Sequence, residues 1–176
     1  MRIMNKLQNK LKKANKDNKG FSLVELIIVI AIMAILVGIV GTQVIPYIDK
    51  SRHSKDIQVL SGLCTDATTA YSSNAANLDP AATYVITISS PASGATDAVT
   101  VTGGTSTEQA TLKDAFKELN SIEKVADLKL ESKAGKAVDT VKITCQSASS
   151  TTAMVTVVTT LKSGSSATNF DKIESK

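Results

Sequence analysis

The sequence predicts an α+β protein, with a long N-terminal α-helix, part transmembrane and part amphipathic, packed on a C-terminal antiparallel β-sheet. Three observations predict it. After Glu25 no charged residue occurs until Asp49, an uncharged run of 23 residues. Apolar residues at helical spacing then continue to about Tyr71. Beyond Ser72 the pattern changes to two-residue alternation broken by Gly-, Ser- and Asn-rich turns. The chain divides accordingly into a basic leader (1–20), a transmembrane helix (21–45), its amphipathic continuation (46–72) and a sheet-bearing head (73–176) on which 46–72 packs.

The leader carries Arg2, Lys6, Lys10, Lys12, Lys13, Lys16 and Lys19 against the single acid Asp17, a balance of +6. The whole chain is only +4, so the rest is mildly acidic at −2. A basic patch for nucleic acid is therefore not expected. The charge reads as a topology signal, because Lys and Arg stay on the cytoplasmic side of a membrane. The N-terminus is expected inside and the head outside.

A membrane-spanning helix needs about 20 apolar residues, whereas the apolar region of an ordinary signal peptide has about 7–15. The run from Leu26 to Val40 holds eleven Leu, Ile or Val residues. They contribute about −3 to −7 kcal/mol on an insertion scale, more than the roughly 3 kcal/mol that a central acid costs. Glu25, near the edge, costs less. The excess length and the missing A-x-A site argue against a signal peptide cut near Thr42. Past the membrane edge Val44, Ile48, Ile57, Leu60, Leu63, Cys64, Ala67, Ala70 and Tyr71 mark one helix face, with Asp49, Lys50, Arg52, Lys55, Asp56 and Asp66 between them. One helix from Phe21 to Tyr71 is about 75 Å long. Pro46 removes one hydrogen bond within it.

In the head, Asn77-Leu-Asp-Pro80 signals a turn, and Tyr84–Ser89 and Ala98–Thr102 alternate as strands. Gly103-Gly104 ends that pattern. Thr105-Ser-Thr-Glu108 reads as a capping box opening a short helix with Leu112, Ala115, Phe116 and Leu119 on one face. Val138–Cys145 and Ala153–Thr160 are the strongest strand candidates, joined by a turn at Ser147–Thr152. Three to five strands are expected, with Lys162 onward a polar tail. There is no Trp and only 3% aromatic residues, so the core rests on Ile, Val, Leu and Ala.

The junction Lys19-Gly20-Phe21-Ser22-Leu23-Val24-Glu25 resembles the processing site of type IV pilins, and of the pseudopilins of secretion and DNA-uptake systems. The resemblance covers about residues 1–45. It implies a pilin fold, cleavage after Gly20 by a prepilin peptidase, and N-methylation of Phe21 by the same enzyme. It assigns Glu25 to assembly, paired with the Phe21 ammonium of a neighbouring copy. The implied partners are other copies of the chain, the peptidase/N-methyltransferase, an assembly platform with its ATPase, and the inner membrane before assembly. The implied product is an extracellular filament for adhesion, twitching motility or biofilm formation, from a single-pass precursor in the cytoplasmic membrane. A minor pilin or tip adhesin, and a pseudopilin, share the same N-terminal chemistry. The twenty-residue leader resembles the longer leaders of some Gram-positive pilins.

On the residues alone, Glu25 also fits an interfacial carboxylate reaching for water. Cys64 and Cys145 fit two buried apolar thiols, and also a disulfide between helix and sheet. They do not fit the cysteine-closed C-terminal loop of many pilins. His53, beside Arg52 and Lys55, reads as part of a solvated face. No catalytic or metal-ligand constellation, phosphate loop or Asn-x-Ser/Thr sequon is recognisable, and no enzyme activity, cofactor or metal is expected.

Overall fold

A computed structural model describes residues 20–90, 98–147 and 153–175. Helix α1, Leu23–Ser73, contains Pro46. Two compact units are distinguished, Met1–Pro46 and Tyr47–Lys176, and α1 contributes to both.

In the first unit the helix stands bare. Leu26, Ile30, Leu36 and Val40 are each more than half exposed. Its apolar window has a mean hydropathy of 3.2, and the helix is long and apolar enough to cross a membrane.

The second unit is a five-stranded antiparallel sheet with helices. Its strands are β1 (Tyr84–Ser89), β2 (Val99–Thr102), β3 (Val138–Cys145), β4 (Val155–Leu161) and β5 (Ile173–Glu174), in the order β2-β1-β3-β4-β5. Alternation in β1 buries Tyr84, Ile86 and Ile88 and turns Val85, Thr87 and Ser89 outward. Register follows: Ile86 faces Ile143, and Ile143 faces Val157. A one-residue slip would move each set to the wrong face. Leu60, Leu63, Cys64, Ala67, Ala70 and Tyr71 of α1 share one core with these strands. The predicted fold class is the observed one.

Helix α2, Ser106–Leu119, opens with the predicted capping box, in which Thr105 and Glu108 satisfy each other's backbone N–H groups. It buries Leu112 and Phe116, while Leu119 stays 48% exposed. Gly103, at φ +106°, makes the tight entry: a Cβ there would lie 2.1 Å from the Thr83 carbonyl oxygen. A four-residue helix, α3 (Lys133–Lys136), precedes β3.

Three expectations need correction. Asp56, assigned to the polar face of α1, is 2% exposed, and its apolar neighbour Ile57 is 37% exposed. The helical phase is right for Leu60 onward but one position early here, because a loop carries donors to Asp56. The segment after Lys162 is not merely polar tail: it holds β5 and the buried Phe170. Nor does His53 lie on a solvated face. Half-buried, it stacks on Phe170 with ring centroids 4.6 Å apart and planes 6° from parallel. Most of the expected turn at Ser147–Thr152 lies outside the described residues.

Candidate processing and assembly site

Gly20, Phe21 and Glu25 come together at the start of α1. An added Cβ on Gly20 would meet nothing within 4 Å. Phe21 is 91% exposed. Among the described residues this junction is exposed.

Glu25 sits in the first turn, where an acid complements the helix dipole. The Ser22 N–H donates to Glu25 Oε2 at 2.8 Å. The Ser22 hydroxyl accepts from the Val24 N–H at 3.3 Å, and its carbonyl accepts from the Leu26 N–H at 3.2 Å. Ser22 thus caps the helix through the Val24 N–H, and Glu25 reaches back to the Ser22 N–H as the acid of a capping box does. The S-x-x-E spacing carries that signal, beside the assembly and interfacial readings of the acid. Glu25 is not simply reaching for water: it has a local partner.

The two cysteines belong to the core of the second unit. Both are free and buried, Cys64 at 4% and Cys145 at 0% exposure. The Cys64 thiol donates to the Val155 carbonyl at 3.6 Å. Burial, with a smaller contribution from neighbouring Cys64, pushes the Cys145 thiol up to about 12. Burial raises that of Cys64 as well. Cys64 also borders an open cavity of about 370 Å³ between α1 and β5. Thr65, Thr68 and Thr69 line it, but their hydroxyls donate to helix carbonyls four residues back, so they do not converge on a ligand. Among the described residues no group of three or more His, Cys, Asp or Glu is placed to hold a metal ion.

The residue that sequence reasoning missed is Asp56. Its oxygens accept from the N–H groups of Glu131 at 2.9 Å and Ser132 at 3.0 Å, and from the Ser132 hydroxyl. Two turns earlier, Asp49 Oδ1 accepts from the Lys133 N–H at 2.9 Å. The two carboxylates tie the loop before β3 to α1.

Against known families, residues 15–41 match the prokaryotic N-terminal methylation motif. The chain carries a type IV pilin-like prepilin leader. The match spans the Gly20–Phe21 junction, Glu25 and the apolar start of α1, and stops short of the head. No curated protein and no solved structure gave a significant match. The methylation motif and the span-capable helix support a pilin-like or pseudopilin precursor and are consistent with membrane anchoring before assembly. They favour a structural subunit over an enzyme.

Proposed function

We propose that the chain is the precursor of a type IV pilus structural subunit. It is cleaved after Gly20, N-methylated at Phe21, and polymerised through α1 into a surface filament for adhesion, motility or biofilm formation. The observation that carries this reading is the bare apolar helix beginning beside the open Gly20–Phe21 bond. Such a surface is stable only in lipid or against other helices.

The physics of assembly follows from two charges. Cleavage creates an ammonium at Phe21, and packing apolar helices together removes it from water. A buried ion left alone costs several kcal/mol, and a partner of opposite sign offsets part of that cost. Glu25 of an adjacent copy is four residues further along and carries that sign. The pair also fixes axial register, since side chains apolar on every face resist sliding only weakly. The membrane stores the subunit. A peptidase that also methylates, an assembly platform and its ATPase are the partners this route requires.

The test is Gly20→Leu. A bulky side chain at the cut should leave the basic leader attached, with no fibres in the sheared fraction. Normal filaments from that variant would sink the proposal. Mass and N-terminal residue of wild-type fibres should report N-methyl-phenylalanine at Phe21; an intact Met1 would mean that the junction is unused.

A further inference from the structure

We propose that Cys64 and Cys145 are oxidised to a disulfide outside the membrane, stapling the second half of α1 to the central strand β3. The inference rests on the outward placement of the head in the function proposed above. In the structure both thiols are reduced and share one core.

Register brings them close. Val155 stands directly opposite Cys145 across the β3–β4 ladder, where antiparallel partners have Cα atoms about 4.5–5.5 Å apart. The Cys64 sulfur already touches the Val155 carbonyl, at 3.6 Å. Cys145 alternates with Ile143 and Val141 on the buried side of β3, so its side chain points into the layer that Cys64 enters from α1. A disulfide needs Cα atoms about 4.4–6.8 Å apart, closer than a helix normally lies to a sheet. Here the inward positions C-terminal to Cys64 include Ala67 and Ala70, both 0% exposed, with the larger Tyr71 beyond them. Methyl side chains at the two alanine positions put little bulk between α1 and the strands. Turning the Cys64 sulfur from the Val155 carbonyl toward Cys145 closes the bridge.

The chemistry balances with one co-reactant, a protein disulfide of a thiol oxidase on the outer side of the membrane. One thiol of the chain loses its proton and attacks an oxidase sulfur, releasing the first oxidase thiolate. The second thiolate of the chain attacks the mixed disulfide and releases the other. The chain gives up two protons and two electrons, and the oxidase disulfide becomes two thiols. Timing follows from burial. With its thiol pushed up to about 12, Cys145 in a closed head is a thiolate in roughly one molecule in ten thousand at pH 8. Exchange therefore precedes final closure of α1 on the sheet. The bridge joins positions with β1, β2 and α2 between them, so it restrains a long loop of the unfolded chain.

Full-length protein recovered from producing cells is acid-quenched, denatured in N-ethylmaleimide and weighed intact. The expected mass lacks two hydrogens and carries no adduct until a reductant is added, after which it carries two. Two adducts without reductant overturn the bridge. Protease added to the same cells, stripped to the membrane, reports where the head lies. Free thiols on a protease-accessible head reject the bridge and leave the filament reading intact; a protected head rejects the placement on which both depend. Reductant should also lower the Tm of the head by about 10 °C, a shift that Cys64→Ala abolishes. An equal shift in Cys64→Ala, or none in wild type, overturns the bracing role.

Discussion

Asp56, on the helix, and Ser132, in the loop before β3, are joined twice: the buried carboxylate takes both the backbone N–H and the hydroxyl of Ser132. The Ser132 hydroxyl in turn accepts from the Gly135 N–H at 2.9 Å and caps α3. A carboxylate contributed by one element thus ends the backbone accounting of another. Asp56→Ala orphans the N–H groups of Glu131 and Ser132 together, and is expected to cost about 2–4 kcal/mol in denaturant unfolding. Asp56→Asn keeps one acceptor oxygen and should cost less. Equal stability of wild type and Asp56→Ala would show the contact to be incidental.

Gly135 is the other half of that arrangement. A Cβ there would stand 2.3 Å from Asp56 Oδ2 and 2.6 Å from Leu130 Cβ. Gly135→Ala should therefore destabilise by about 2 kcal/mol through overpacking. In a double variant with Asp56→Ala, part of the clash is gone, and the two losses should sum to less than their separate values. Strict additivity would contradict the geometry.

Glu108 links three segments. Its carboxylate accepts from the Thr105 N–H at 2.6 Å and, through the other oxygen, from the Asp79 N–H at 3.0 Å. The Thr105 bonds, then that of Asp79, hold its pKa below the ordinary 4.5. A carboxyl depressed on folding stabilises the head above pH 4.5 and loses that contribution as pH falls through the folded value. Glu108→Gln should flatten the acid limb of a stability–pH profile measured below pH 5. An unchanged limb would assign acid sensitivity elsewhere.

The raised thiols predict the opposite limb. Reduced protein holds the Cys145 proton from about 9.0, its ordinary value, up to about 12. Over that window the folded state binds more protons than the unfolded one, so stability falls as pH rises. Folded, reduced protein at pH 8 should react slowly with iodoacetamide, Cys64 first because it borders the open cavity. Modification of Cys145 first, followed by peptide mapping, would contradict its deeper burial.

Phe170→Ala removes a buried ring and its stack on His53. A loss of about 3 kcal/mol is expected, with earlier proteolysis near Ile173. Unaltered protease resistance would show that β5 is held without it.

The sequence was most readable where one physical rule decided the outcome. Tyr84–Ser89 and Val138–Cys145 were placed to the residue, because a half-buried strand must alternate. Thr105 and Glu108 were legible because helix starts need local acceptors. What stayed hidden depended on distant partners. Nothing in the period of α1 tells that Asp56 and not Ile57 turns inward, since its partners lie 75 and 76 residues away. The two-residue β5 is too short to show alternation, and exists because Thr156 and Val157 offer it a free edge. At the candidate site the sequence points to Gly20, Phe21 and Glu25, whereas the bond from the Ser22 N–H to Glu25 emerges only from the structure.

Ser22 alters what the first turn can do. Its N–H occupies one of the two oxygens of Glu25, and this bond lies beyond the Gly20–Phe21 cut. On the proposed cut that bond stays with the mature chain, so the acid would keep the partner it has here, with Oε1 left for a newcomer. A subunit joining a filament would meet a socket shaped in advance, and ordering that carboxylate would subtract little from the attraction that seats it.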